Sequence, residues 1–285
     1  MNVIVGIIVV LGSVIGGFLM AGGQIMALIH PNEVVVIGGA ALGAFLISNP
    51  AKVSIAALKA IPTLFGGSKY GKPLYMDLLA LMYDLFSKSR KDGLMAVEAD
   101  IEEPANSEIF KKYPKIMKDH HVIDFISDYM RMIIGGSMNA FELEALMDSD
   151  LETHHHHAAE PSHALTRVAD GLPGFGIVAA VLGVVITMSH IGGPPAELGA
   201  HIGAALVGTF LGILAAYGFV GPMAILLEHR AGGERQFFAC IKTCLMASVQ
   251  GYSPQVAVEF GRKSMPLEFR PSFQELEEHV KGKKA

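Results

Sequence analysis

Residues 171–227 read GLPGFGIVAAVLGVVITMSHIGGPPAELGAHIGAALVGTFLGILAAYGFVGPMAILL, and this stretch decides the fold because Glu197 is its only charged side chain. A helix that spans a membrane needs about 20 consecutive apolar residues. The stretch is long enough for two such helices and too long for one. It predicts membrane helices at 172–191 and 198–227.

A second charge-poor stretch begins the chain. Residues 1–51 carry one charged side chain, Glu33. They predict two further membrane helices, at 2–21 and 33–48. The first lacks the basic residues that begin a secretory signal peptide, so we expect it to be retained as a helix.

The composition agrees with a membrane protein. Of 285 residues, 51% are hydrophobic and 17% are charged, against roughly 25% charged in soluble domains. A net charge of −5 argues against a nucleic-acid binder that relies on an overall basic field. The hydrophobicity excludes a disordered chain, and two cysteines exclude a disulfide scaffold.

The basic residues predict the orientation. All 22 lysines and arginines lie in 51–170 or after residue 227, and such residues favour the cytoplasmic side. Both termini are then cytoplasmic. We expect an all-α membrane protein with membrane helices 1 and 2 in 1–50, a cytoplasmic helical domain in 51–170, membrane helices 3 and 4 in 171–227, and a cytoplasmic helical tail in 228–285.

The segment 51–170 shows helical periodicity. One apolar face predicts a helix that stops near Gly93, and it consists of Leu78, Leu79, Met82, Leu85 and Phe86. A second run turns Leu94, Val97 and Ile101 inward. Basic residues at 88–91 and acidic residues at 98–103 flank Gly93. This charge pattern predicts either a solvated face or a docking surface for a protein of complementary charge.

The membrane helices carry small residues four apart, which let helix backbones approach closely in lipid. The pairs are Gly12 and Gly16, Gly39 and Gly43, Ala179 and Gly183, and Gly208 and Gly212. They predict either packing within the chain or association with partner helices.

Few polar groups lie inside the predicted spans. Thr209 lies in mid-span, where its hydroxyl either bonds a carbonyl of its own helix or lines a pathway. Glu33 and Glu197 are expected at the outer ends of their helices, which leaves no carboxylate in the middle of any span. The chain therefore either conducts nothing or needs a second subunit that supplies the carboxylate.

No motif for covalent chemistry is present, so we do not expect an enzyme. Four consecutive histidines at 154–157 are the one candidate metal cluster. No second cluster lies at ligand spacing, and a solvated linker before the third membrane helix is the favoured reading over a metal site or a metalloenzyme.

The chain resembles the MotA family, the four-helix membrane subunits of the bacterial flagellar stator. The resemblance covers almost the whole chain and lies in VVLGSVIGGFLMAGG (9–23), YMDLLALMYDLF (75–86), FELEALMD (141–148), LPGFGIVAAVLGVV (172–185), GTFLGILAAYGFVGP (208–222), VEFGRKS (258–264) and RPSFQELEEHV (270–280).

The resemblance implies an inner-membrane homo-oligomer, with five copies around two MotB chains that each carry an essential membrane aspartate. Ion flow would drive the cytoplasmic face against the rotor protein FliG. Arg90 and Glu98 match the torque residues of the family. The stretches that match its ion pathway contain Pro173, Ala180, Thr209, Tyr217 and Pro222.

One difference from the sodium-type members of the family predicts the coupling ion. Sodium-type relatives place a threonine seven residues after the proline of the third span, where this chain has Ala180. A methyl group offers no oxygen ligand for Na⁺, so we expect a proton motor without other cofactors. The alternatives are an energiser of the TolQ and ExbB type and a membrane scaffold that conducts nothing.

Overall fold

The computed structural model describes residues 2–282, which form helices joined by turns and loops, with no β-strand. The α-helices are α1 (Asn2–Met20), α2 (Pro31–Ser48), α3 (Ala51–Thr63), α4 (Lys72–Asp92), α5 (Glu98–Glu102), α6 (Glu108–Lys111), α7 (Pro114–Met117), α8 (His120–Gly135), α9 (Ala140–Ser189), α10 (Pro195–Ile213), α11 (Gly221–Val249), α12 (Pro254–Ser264) and α13 (Phe273–Gly282). Short 3₁₀ helices occupy Ile25–Leu28 and Leu94–Val97, and a π-helix occupies Leu214–Val220. The predicted all-α fold is confirmed.

The chain divides into two compact units. The membrane unit comprises Met1–Gly67 and Ala158–Arg230, and the polar unit comprises Ser68–His157 and Ala231–Ala285. Since α3 belongs to the membrane unit, this division differs from the predicted boundaries at 51 and 170. Those boundaries concern the membrane surface and stay predictions.

Four segments of the described chain are long and apolar enough to span a membrane, as predicted. They are Val3–Met20, Ile25–Ser48, and parts of Ala140–Ser189 and of Pro195–Val249. The second span begins earlier than the predicted residue 33 because it includes the 3₁₀ helix. The third and fourth spans continue into longer helices.

Helices α9 and α10 pack with their backbones in direct contact, along what we call the glycine seam (Gly176, Gly183, Gly208 and Gly212). A Cβ atom at Gly212 would lie 2.7 Å from Leu172 O and 2.8 Å from Gly176 Cα. One at Gly183 would lie 2.8 Å from Ala205 Cβ. Real Cβ atoms do not approach so closely, so only glycine allows this helix separation.

The small-residue pairs thus divide into two groups. Those on α9 and α10 serve packing within the chain. A Cβ atom at Gly12, Gly16, Gly39 or Gly43 would meet no atom within 4 Å. No side chain in 3–20 is buried within this chain, so these faces of α1 and α2 are open to neighbours.

Arg230 holds the end of α3 in the membrane unit. Its guanidinium donates hydrogen bonds to Thr63 O and Gly66 O, each at 2.7 Å. Thr63 is the last residue of α3, and Gly66 lies in the turn after it. Carbonyls at the end of a helix lack their usual N–H partners, and a cation there interacts favourably with the helix dipole.

The polar unit is built around α4. The predicted face of Leu78, Leu79 and Met82 is buried as expected. Met76 and Ala80, which lie on the other side of the helix, are buried too. Helix α4 is therefore enclosed around its circumference, and its core partners include Phe237 and Phe238 of α11.

Two expectations for this unit are wrong. Leu94 is 45% exposed rather than buried, because Gly93 has φ +93° and starts a new direction of the chain. The histidine run lies within α9 rather than in a linker. The ring of His154 lies 4.5 Å from that of Phe238, a packing partner far away in sequence.

We predict that Gly212→Val disrupts the membrane unit. The valine Cβ would push against the backbone of α9, and overpacking of this kind costs about 1–3 kcal/mol. Gly203→Val on the same helix is the matched control, since its Cβ meets open space. The amount of protein in membranes and its melting temperature in detergent should fall for the first variant alone, and equal losses would contradict the seam.

Candidate ion pathway and charged surface

The membrane unit contains the five residues predicted along the ion pathway. Gly176 and Gly208 locate two of them on the glycine seam. A Cβ atom at Gly176 would lie 3.3 Å from Thr209 Cα, and one at Gly208 would lie 3.4 Å from Ala180 N. Ala180 and Thr209 are both partly exposed. Ala180 and Thr209 thus both border the glycine seam, each beside a glycine of the other helix.

The hydroxyl of Thr209 forms no hydrogen bond within residues 2–282, whereas that of Thr187 donates to Gly183 O at 2.8 Å. One alternative for Thr209 was a hydrogen bond from its hydroxyl to a carbonyl of its own helix. Thr187 forms such a bond, and Thr209 forms none within the described residues. Thr209 keeps a free donor and acceptor beside the seam.

Pro222 lies two residues after the end of the π-helix, in the first turn of α11. A proline has no N–H to donate and collides with the carbonyl four residues before it. The π-helix widens this turn, and Gly221 N donates to Ala216 O, five residues back. A Cβ atom at Gly221 would lie 3.0 Å from that oxygen. Pro222 is exposed, and Tyr217 on the π-helix is 70% exposed.

Pro173 differs from Pro222. It was predicted at the start of the third span, where a proline costs nothing. The structure places it inside the continuous helix α9, so the carbonyl one turn earlier loses its usual donor. The two prolines lie on consecutive spans but are not brought into contact with Thr209 or Ala180 by any described interaction.

One carboxylate, that of Glu33, is buried in the membrane unit. Glu33 is only 9% exposed, and a Cβ atom at Gly208 would lie 2.7 Å from its Oε2 and 3.1 Å from Ala179 Cβ. Glu33 lies in the first turn of α2, at the end of its helix as expected, but it is buried against α10 rather than exposed.

The sequence does contain a signal for this burial. Glu33, Ile37, Ala41 and Phe45 are four apart, and all are buried on one face of α2. A glutamate in register with a buried stripe indicates a carboxylate that faces protein rather than the lipid surface.

In the polar unit, Arg90 and Glu98 are both exposed and form no ion pair within the described residues. Their surroundings are fixed by an ion pair next to them. Lys88 Nζ lies 2.6 Å from Asp100 Oδ2, and Ser107 Oγ donates to Asp100 Oδ1 at 2.6 Å. Asp100 is buried, so this pair ties the end of α4 to α5 across Gly93.

The rest of the acidic run also has internal partners. Arg131 Nε donates to Glu102 Oε1 at 2.5 Å, and this hydrogen bond lowers the pKa of the Glu102 carboxyl. Only part of the charge pattern is therefore available to another protein. Arg90 and Glu98 remain free on either side of a turn where Met95 is also 65% exposed.

Within residues 2–282, no group of three or more histidine, cysteine, aspartate or glutamate side chains is arranged to hold a metal ion. His154 instead lies 3.8 Å from Glu234 Oε1. The buried thiol of Cys240 donates to Gly261 O at 3.2 Å, and Cys244 is also free and buried. These groups serve packing in the polar unit.

Comparison with known proteins identifies the family of this chain. Residues 4–93 match the family described as Motility protein A N-terminal, and residues 118–238 match the MotA/TolQ/ExbB proton channel family. Motility protein A of Salmonella typhimurium is 52% identical over 282 residues, which are 99% of this chain and 96% of the relative. The chain belongs to the MotA family.

Two other relatives support the same family. Motility protein A of Escherichia coli K12 is 51% identical to this chain, and the alignment covers 100% of this chain and 96% of the relative. Chemotaxis protein LafT of Vibrio parahaemolyticus is 36% identical, with 97% of each chain covered. The resemblance seen in the motifs is thus confirmed, and the chain is a multipass inner-membrane protein and a proton-channel subunit of the flagellar stator.

Two solved structures share the MotA fold. MotAB of C. jejuni matches with a TM-score of 0.75 at 21% identity, covering 94% of this chain and 96% of that chain. The flagellar MotAB stator complex of Bacillus subtilis matches with a TM-score of 0.69 at 23% identity, covering 96% and 97%.

We predict that Pro222→Ala separates stability from motility. Alanine restores the missing N–H, and an interior proline costs a helix about 3 kcal/mol, so the variant should melt no lower than the parent in detergent. The π-helix should relax toward α geometry, and swimming in soft agar should slow. Pro195→Ala, at the first turn of α10, is the control, and swimming of Pro222→Ala at the control's speed would contradict the role of the π-helix.

Proposed function

We propose that this MotA-family chain forms the proton pathway together with a MotB-like subunit, and that it converts proton passage into torque on the rotor protein FliG. The observation that supports the proposal is the glycine seam, since Ala180 and Thr209 both border it and the Thr209 hydroxyl forms no hydrogen bond within the described residues. A partner helix that carries an aspartate can approach both.

The open helix faces support the oligomer. Gly12, Gly16, Gly39 and Gly43 have space for a neighbouring backbone, and small residues of this kind are typical of contacts between membrane helices. The solved structures with the same fold are MotAB complexes. We infer five copies of this chain around two copies of the partner, as the resemblance implies.

The pathway suits protons. Ala180 presents a methyl group, and a sodium ion that sheds water needs oxygen ligands in its place. A proton needs only a chain of groups that accept and donate it. The free Thr209 hydroxyl can do both, so the proposal assigns H⁺ as the coupling ion.

Torque is assigned to Arg90 and Glu98 of the polar unit, which we place in the cytoplasm with both termini. The pair of Lys88 and Asp100 fixes the turn between these residues. Their charges are free for a rotor protein of complementary pattern. Pro173 and Pro222 give the third and fourth spans places to bend when a partner aspartate changes charge.

We predict that motor speed follows the proton gradient. When Na⁺ is replaced by K⁺ at constant pH, single-motor speed should not change, because Ala180 provides no sodium ligand. A protonophore should stop rotation. Speed that tracks Na⁺ and survives the protonophore would overturn the proton assignment and leave the family assignment intact.

We predict that Arg90→Glu and Glu98→Lys each slow swimming while the protein reaches the membrane in normal amounts. Exposed ion pairs are worth only about 0–1 kcal/mol, so a reversed charge that repels the rotor should be more damaging than alanine. Lys118→Glu, an exposed reversal elsewhere on the polar unit, is the control. If the first two variants swim as well as this control, the rotor contacts another surface.

A further inference from the structure

The Glu33 carboxylate is buried in the membrane unit, and the pathway described above does not use it. It lies against Gly208, immediately before Thr209 in sequence, and both Glu33 Oε2 and Ala180 N lie within 3.4 Å of the Cβ position of Gly208. The carboxylate is therefore next to the two residues that we place on the proton pathway.

The position of the carboxylate along two helices bears on its depth. Gly208 lies eleven residues beyond Glu197 on α10, which is about 16 Å along a helix axis. From Glu33 to Ser48 at the other end of the span, α2 extends about 22 Å. We place Glu197 and Ser48 at opposite membrane surfaces, and since the hydrocarbon core of a bilayer is about 30 Å thick, this placement puts the carboxylate inside it.

No residue in 2–282 donates a hydrogen bond to this carboxylate or pairs with it as a cation. His30, directly before α2, is close enough to attract the Glu33 carboxylate electrostatically, and its Nε2 lies 3.2 Å from Ala27 O. The parts of α9 and α10 packed here offer Ala179, Ala180 and Gly208, and the nearest titratable group along α10 is His201, two turns away. A buried ionised carboxylate that accepts no hydrogen bond is disfavoured in such surroundings.

Stabilisation of the helix end does not account for this position. Glu33 is the third residue of a helix that begins with Pro31, and Glu197 is the third residue of a helix that begins with Pro195. Both glutamates meet the same helix dipole, yet Glu197 is exposed and Glu33 is buried against another helix. An acid at a helix start needs no burial, so the burial of Glu33 requires another reason.

We propose that Glu33 is a protonatable relay group of the ion pathway, supplied by this chain in addition to the carboxylate of the partner. The carboxylate takes a proton from a hydronium ion and releases water. The neutral acid then transfers that proton to the partner carboxylate beside Ala180 and Thr209 and returns to its charged form. This inference rests on the proposed function, because it needs a proton pathway at the glycine seam.

The test uses the complete complex with the MotB-like subunit, reconstituted in vesicles under a fixed proton gradient. Glu33→Gln removes the proton-binding group at nearly the same size, Glu33→Asp keeps it, and Glu197→Gln makes the same chemical change in the same helical context. Proton flux and the amount of assembled complex are measured for each variant over a range of external pH.

Glu33→Gln should lower the flux, and the loss should grow as external pH rises, because a relay group matters most when protons are scarce. Glu33→Asp should keep most of the flux, and Glu197→Gln should behave as the parent. An unchanged flux and pH profile in Glu33→Gln would overturn the proposal. A parent complex without flux would instead overturn the proposed function itself.

A second measurement decides the case in which Glu33→Gln does not assemble. A hydrophobic carbodiimide modifies carboxyl groups that hold a proton in apolar surroundings, and mass spectrometry locates the label in the unmodified complex. Label on Glu33, with less at higher pH and none on Glu197, is the expected result. A complex labelled on the partner aspartate but never on Glu33 would overturn the relay.

Discussion

The direct contact between the backbones of α9 and α10 is the constraint on which the rest of the membrane unit depends. Gly176, Gly183 and Gly212 leave no room for a side chain between the two helices. The contact fixes which neighbours Ala180 and Thr209 have, and it opens the space at Gly208 that the Glu33 carboxylate fills. A single added methyl group at the seam would therefore disturb packing and chemistry together.

The prolines show how the same unit combines close packing with places to bend. Pro173 lies in a helix that stays α-helical, whereas Pro222 is preceded by a π-helix that absorbs its missing hydrogen bond. π-helices are rare and are often found at functional sites. The fourth span thus changes helix geometry beyond the seam, and the seam itself stays closely packed.

Much of this was predictable from local pattern. The scarcity of charged residues in 171–227 predicted two spans, and helical spacing predicted that Leu79 and Met82 are core residues. The partner of Glu33 was not predictable, since the carboxylate is buried against Gly208, far away in sequence. The packing of His154 on Phe238 depends on a partner far away in sequence, and the π-helix depends on strain near Pro222. No local sequence pattern indicates either feature.

The exposure of Arg90 and Glu98 has a kinetic consequence. A contact with another protein that left these charges hydrated would be weak, at about 0–1 kcal/mol for each pair, and would form and dissociate rapidly. The two charges are of opposite sign and lie on either side of Gly93, so a partner of complementary charge would bind them better in one orientation than in the reverse. Such a surface can bind a partner and dissociate from it many times in succession without forming a permanent complex.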